Sequence, residues 1–275
     1  MDKPSGDGSS GIERDELLAV CGVGAGYGGR QVVTGIDLTV NAGDIVGLLG
    51  ANGSGKSTLL KAITGQIRLM SGRVAINGID LAARPEAAKV GFGLAVDGPE
   101  LPAPLSGRQY LDLVASIRRC RIADDEWAGR IARLRLAPWL DRPIAEYSLG
   151  TRAKLSIAAA LLGSPPLLIF DETLNGLDPV AVWEAKCLIA ELVGGGSHAA
   201  IVSTHAVEAV PAFCTRAVLL SEGRVVTAWD TAELSRAAAA PGGFEDSMMQ
   251  ALTKGQGAAA IDGATAAGRA YSQSA

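Results

Sequence analysis

The sequence predicts an α/β fold in which a parallel sheet carries helices on both faces, joined to an antiparallel β subdomain. Three observations point there. Short, continuous apolar runs such as "IVGLLG" and "LLIFDE" suit strands covered on both sides. These runs alternate with helix-like segments, as βα units do. Ahead of and between them lie segments with period-two alternation and turn residues, the mark of antiparallel pairing.

The elements follow in order. Residues 1–15 are polar and acidic and read as a flexible leader. "ELLAVCGVGAGY" and "VVTGIDLTV" alternate as strands, with Asn41-Ala42-Gly43-Asp44 as a turn. "IVGLLG" is a buried strand. From Lys56 the pattern turns helical, with Leu59, Leu60 and Ile63 about one turn apart. "GRVAINGIDL" reads as a hairpin turning at Asn77-Gly78. From about Leu105 to Leu162 the chain is almost wholly helical. "LLIFDE", "AAIVSTH" and "RAVLLSEGRVV" are further strands, with a helix around 179–193 between the first two. The last 39 residues, from Ala237, hold 13 Ala and 6 Gly and read as a low-complexity tail, save a short amphipathic helix in "FEDSMMQALT".

Composition narrows the function. Apolar residues make up 48% of the 275 residues, enough for a packed core. A net charge of −4 argues against a nucleic-acid partner. Cys21, Cys120, Cys187 and Cys214 are scattered without a CxxC pair, so they read as reduced thiols rather than a disulfide frame or zinc site. No run approaches the roughly 18 apolar residues of a membrane span. The expectation is a soluble protein, or one held at a membrane by another chain.

The most specific signal is "GLLGANGSGKSTLL". Gly50, Gly55, Lys56 and Ser57 satisfy G-x-x-x-x-G-K-[ST] between a strand and a helix. The loop Gly50-Ala51-Asn52-Gly53-Ser54-Gly55-Lys56-Ser57-Thr58 turns backbone N–H groups toward anionic oxygens, and the helix start adds its positive end. Lys56 reaches the terminal phosphates and Ser57 can ligate Mg²⁺. Asp171 and Glu172 end a strand at the edge where open α/β sheets bind ligands. Asp171 is placed for the Mg²⁺ shell and Glu172 for the attacking water.

With these motifs in order, the chain resembles an ABC ATPase, the nucleotide-binding subunit of an ATP-driven transporter, over roughly residues 17–236. The resemblance implies a P-loop NTPase core within residues 16–236, an inserted α-helical subdomain at about 98–163, and ATP with Mg²⁺ as cofactors. Tyr27 stands where the family stacks an aromatic on adenine. Ser148-Leu149-Gly150-Thr151-Arg152 resembles a looser form of the family signature, retaining Ser148 and Gly150. Asn175-Gly176-Leu177-Asp178 resembles the loop that crosses the family's dimer interface, and His205 the histidine that touches the γ-phosphate. Taken singly, Tyr27 also reads as a strand-end residue, Ser148 as a helix N-cap and His205 as a packed residue. His198, in a Gly/Ser-rich loop, reads as solvated.

Three departures from the family pattern stand out. Asp97 occupies the place of the usual glutamine, and an aspartate there is still able to contact Mg²⁺ or its water. Thr173-Leu174 replaces the usual Pro-Thr after Glu172, and the signature is degenerate. Lys56, Asp171 and Glu172 remain, so hydrolysis is expected. The resemblance also implies partners: a second ATPase subunit paired head to tail, so that Ser148 of one copy closes on ATP held by the other, and a separate transmembrane permease. The chain would then lie in the cytoplasm, peripheral on the membrane. Its signature style and "NGLDP" are nearest to bacterial exporters of drugs, lipids or polysaccharides; an importer subunit or a non-transport ABC ATPase is the alternative. A small-molecule kinase would lack "YSLGTR" and "STH". Residues 108–152 carry nine arginines against six acids, and each arginine taken alone reads as solvated.

Overall fold

The computed structural model describes residues 15–96, 98–122 and 125–254. Residues 1–14, Asp97, 123–124 and 255–275 lie outside it, and with them most of the leader, the aspartate expected near Mg²⁺ and the end of the tail.

The chain opens with strands β1 (Glu16–Tyr27), β2 (Arg30–Asn41) and β3 (Ile45–Leu49), then helix α1 (Lys56–Ile63). The hairpin β4 (Leu69–Ile76) and β5 (Ile79–Asp80) follows, then α2 (Pro85–Val90) and β6 (Phe92–Ala95). Helices α3 (Gly107–Arg118), α4 (Asp125–Arg133) and α5 (Leu149–Leu161) form the helical insertion. After it come β7 (Leu167–Asp171), α6 (Pro179–Gly194), β8 (Ala199–Ser203), α7 (Val210–Phe213), β9 (Arg216–Ser221), β10 (Arg224–Trp229) and α8 (Thr231–Ala239). A last helix, α9, spans residues 243–254.

Two sheets result. The antiparallel sheet has the order β2-β1-β4-β5, and the six-stranded sheet the order β10-β9-β3-β8-β7-β6. In the second, β3, β6, β7, β8 and β9 are parallel and only β10 is antiparallel. The alternation along its strands explains the continuous apolar runs. Ile45, Leu49, Leu168, Phe170, Ala200, Val202, Ala217 and Leu219 point into one core, with α5 and α6. Their neighbours Val46, Leu48, Leu167, Ile169, Ala199, Ile201, Val218 and Leu220 point into the other, with α1 and the antiparallel sheet. A strand buried on both faces has no polar side to show.

Packing continues past residue 236. Phe244 of α9 is buried in the first core and meets the Trp229 ring edge-on, centroids 5.1 Å apart.

Three arginines of the insertion, Arg118, Arg130 and Arg133, are bound rather than solvated, while Arg108, Arg119, Arg121, Arg135 and Arg142 are exposed. Nη1 of Arg118 donates to the carbonyls of Ala159, Ala160 and Leu162 at 2.9, 3.1 and 2.7 Å. Nη1 of the buried Arg130 donates to Leu161 O at 2.9 Å. Two guanidinium groups from α3 and α4 therefore satisfy the last carbonyls of α5 and sit at its negative end. Burial pulls the Arg118 pKa below the ordinary guanidinium value, yet a guanidinium retains its charge there. Arg133 bridges α4 to α6 through Glu184 (2.8 Å) and Glu191 (2.6 Å).

Arg118→Met keeps the apolar stem but removes a donor to three carbonyls, of which Ala159 keeps the Leu162 N–H, so it should lower unfolding stability by about 2 kcal/mol. Urea denaturation reads this directly; an unchanged midpoint would show that the cap contributes nothing.

Candidate nucleotide site

The site sits where the parallel strands end. β3 delivers the glycine loop, β7 delivers Asp171 and Glu172, and β8, between them, delivers Ser203 to His205. Shared strand direction puts all three at one edge.

The loop is shaped by glycines where other residues would not fit. Gly50 has φ 148°, and a Cβ there would strike the Leu220 carbonyl and the Ser54 side chain. Gly55 has φ 107°, and its Cβ would meet Val33 at 2.7 Å. Gly55 caps α1, whose first turn holds the amides of Lys56, Ser57 and Thr58; the first helical bond there runs from Leu59 N–H to the Gly55 carbonyl. Ala51, Asn52 and Gly53 form the exposed outer arc. The Ser54 hydroxyl is buried without a hydrogen-bond partner. A curled glycine loop at a helix start, with an orphaned hydroxyl, fits a polyphosphate.

Lys56 is 4% exposed, and its ammonium donates to the carbonyls of Gly50 (2.9 Å) and Ala51 (3.3 Å). It also lies 3.4 Å from Glu172 Oε1. The cation expected at the phosphates and the carboxylate expected at the water thus already meet. Ser57 and Asp171 line the same two adjoining clefts, one toward Gln66 and Glu100, the other toward Glu172 and Thr173. Among the described residues there is no cluster of three His, Cys, Asp or Glu side chains that could hold a metal. A single carboxylate beside a hydroxyl suits Mg²⁺, which takes most of its ligands from phosphate and water.

Ser203 escaped the sequence reading. It pairs with Asp171 across the sheet and is buried to 1% exposure. Its hydroxyl donates to Asp171 Oδ1 at 2.6 Å and accepts from the Glu172 N–H at 2.8 Å. One hydroxyl therefore orients the first carboxylate and holds the backbone of the second, whose φ of 50° is left-handed. The only sequence signal is a serine ending an otherwise apolar run. Thr173, where the resemblance expects proline, uses its hydroxyl to reach Ala95 O on β6 at 3.3 Å.

The remaining candidates surround this edge. His205 is exposed and its Nδ1 lies 3.1 Å from Asn175 Nδ2. Tyr27 is half exposed at the β1–β2 turn. Ser148 is the N-cap of α5, its hydroxyl accepting from Thr151 N–H at 3.1 Å; Gly150 packs near the Gly176 carbonyl. Leu149 borders the cleft holding Glu172, while Ser148 and Gly150 line neither cleft. Asp178 is the N-cap of α6. The Ala181 amide, then the Lys154 ammonium at 3.2 Å, hold its carboxyl below the usual range. His198 is bound between Ser197 and the Ser164 carbonyl rather than loosely solvated.

Comparison with known proteins agrees with this geometry. A family model described as ABC transporter matches residues 33–175. The chain is 34% identical over 211 residues to the uncharacterized ABC transporter ATP-binding protein YdbJ of Bacillus subtilis (strain 168), covering 77% of this chain and 68% of that protein. It is 32% identical over 228 residues to the daunorubicin resistance ATP-binding protein DrrA3 of Streptomyces coeruleorubidus, covering 80% and 70%. A solved structure of the ATP-binding subunit of an ABC transporter superposes with a TM-score of 0.74 at 32% identity, over 80% of this chain and 92% of that one.

Ser203→Ala leaves the Glu172 amide and the Asp171 carboxylate each short of a partner. Stability should fall by roughly 2 kcal/mol, measured by chemical denaturation; wild-type stability would mean that the hydroxyl is not needed there.

Proposed function

The chain belongs to the ABC transporter family as an ATP-binding, ATP-hydrolysing subunit, and we propose that it drives export through a separate transmembrane permease, working as a head-to-tail pair with a second ATPase subunit. The observation that carries the nucleotide half of this reading is the Lys56 ammonium, buried inside the loop and 3.4 Å from Glu172. The relation to a daunorubicin-resistance ATP-binding protein supports export. No helix among the described residues is long and apolar enough to cross a membrane; in this reading the translocation path comes from another chain.

In the proposed cycle, the amides from Gly50 to Thr58 and the Lys56 ammonium bind the phosphates, and Tyr27 stacks on the base. Mg²⁺, held by Ser57 and Asp171 with Asp97 close to its shell, would neutralise charge on the transferred phosphoryl group. Once Lys56 turns from Glu172 to phosphate, the carboxylate is released to orient water and take up its proton. His205 donates to the terminal phosphoryl oxygens. Ser148, Gly150 and the amides at the start of α5 are an anion site with no phosphate of their own, and they close on the nucleotide of the partner subunit; Asp178 lies at that contact. ATP is then the ligand that selects the closed pair, and hydrolysis reopens it. The proposed location is the cytoplasmic face of the membrane, through the permease.

Glu172→Gln should bind ATP, accumulate as a dimer by light scattering, and turn over at least about 100-fold more slowly. Turnover at the wild-type rate would remove Glu172 from the water. Lys56→Ala should instead weaken ATP binding itself, by roughly tenfold or more in titration calorimetry. For the transport half, the tagged chain purified from membranes should bring down a polytopic protein; recovery from the soluble fraction alone would refute the permease.

A further inference from the structure

We propose that Asn175 is a positioning residue that fixes the tautomer of His205, holding its proton on Nε2. The geometry is a short relay across two loops. The Ala206 N–H, which can only donate, gives its hydrogen to Thr204 Oγ1 at 3.0 Å. The Thr204 hydroxyl then donates to Asn175 Oδ1 at 3.4 Å. With its oxygen taken, the amide presents Nδ2 to the imidazole, and Nδ2 stands 3.1 Å from His205 Nδ1. An amide nitrogen donates and never accepts. Nδ1 must therefore be the acceptor, and the neutral ring carries its proton on Nε2.

The consequence concerns the same site. Nε2–H is the vertex pointing away from Asn175, so the ring becomes a donor on its free side without needing to be charged. This rests on the reading of His205 as a donor to the terminal phosphoryl group, and it assigns which atom does the donating. Lys186 and Cys214 share the apolar cleft that His205 borders, and Glu208 follows three residues on. The cleft also holds a cation and a thiol, but the hydrogen bond to Nδ1 comes from Asn175. Asn175 is exposed, so its replacement should leave the fold intact.

The chain contains two histidines, which makes the test direct. His198 is held independently: Ser197 Oγ lies 3.0 Å from its Nδ1, and Nε2 donates to the Ser164 carbonyl at 3.1 Å. It serves as an internal reference. Imidazole ¹⁵N spectra of the full chain without nucleotide, at a pH above both ring titrations, should show His205 protonated at Nε2 with a hydrogen-bonded Nδ1. Asn175→Ala should shift Nδ1 to the value of an unbonded ring nitrogen. Asn175→Asp, whose carboxylate only accepts, should move the proton to Nδ1. His198 should not change. A wild-type His205 protonated at Nδ1, or an Nδ1 signal indifferent to both substitutions, would overturn the proposal.

Turnover separates this proposal from the reading it rests on. Asn175→Ala should lower kcat about tenfold at constant KM for ATP, and cost nothing further in a His205→Ala background. An equal loss in that background would show that Asn175 does not act through the ring. If His205→Ala itself turns over at the wild-type rate, the role of His205 in hydrolysis fails, while the spectra still decide the tautomer.

Discussion

Parallel hydrogen bonding of β8 between β3 and β7 is the constraint on which the site depends. Val46 pairs with Ile201, and Ile169 pairs with the same Ile201 from the other side. Because the three strands run in one direction at a common register, their carboxyl ends coincide. Ser57 and Asp171, far apart in the chain, thereby line the same clefts. No loop has to reach for them. Apolar burial on both faces fixes that register, since a slip of one residue would exchange the two cores along a whole strand. The chemistry at the edge is thus held by packing in the interior.

Hydroxyl groups refine what the strands bring together. Ser203 joins β8 to both acids after β7, and Thr173 ties the same turn to β6. Ser156 of α5 donates to Val96 O at 2.7 Å, connecting the helical insertion to the residue before Asp97. The segment that precedes the unusual aspartate is therefore anchored to α5, the helix that begins at Ser148. At its C-terminal end α5 is held by Arg118 and Arg130. A helix held at its middle by Val96 and at its C-terminal end by Arg118 and Arg130 is tied to both the parallel sheet and the rest of the insertion.

Much of this was legible in the residues. The glycine loop announces itself because its φ values admit so few alternatives, and the buried strands because two-sided burial leaves no polar positions. Asn77-Gly78 marks its hairpin for the same local reason. What was hidden depends on contacts between distant segments. Ser203 looks like an ordinary polar residue ending a strand until β7 is placed beside it. Arg118 and Arg130 read as solvated charges because their partners lie 31 to 44 residues away. The Asn175–His205 bond spans 30 residues and needs the β7–β8 pairing to exist at all. Local stereochemistry is written in short stretches; the hydrogen bonds that orient a side chain are written only in the fold.

In the proposed head-to-tail pair, the helix start at Ser148 and the loop at Gly50 are two halves of one site contributed by different copies. The most direct measurement is a structure of the Glu172→Gln chain grown with ATP and Mg²⁺. The account predicts the phosphates lying against the Gly50–Thr58 amides of one copy, with the Ser148 hydroxyl of the partner subunit on the terminal phosphate and Lys56 turned toward the nucleotide. A monomer with its own Ser148 on its own bound triphosphate would contradict it.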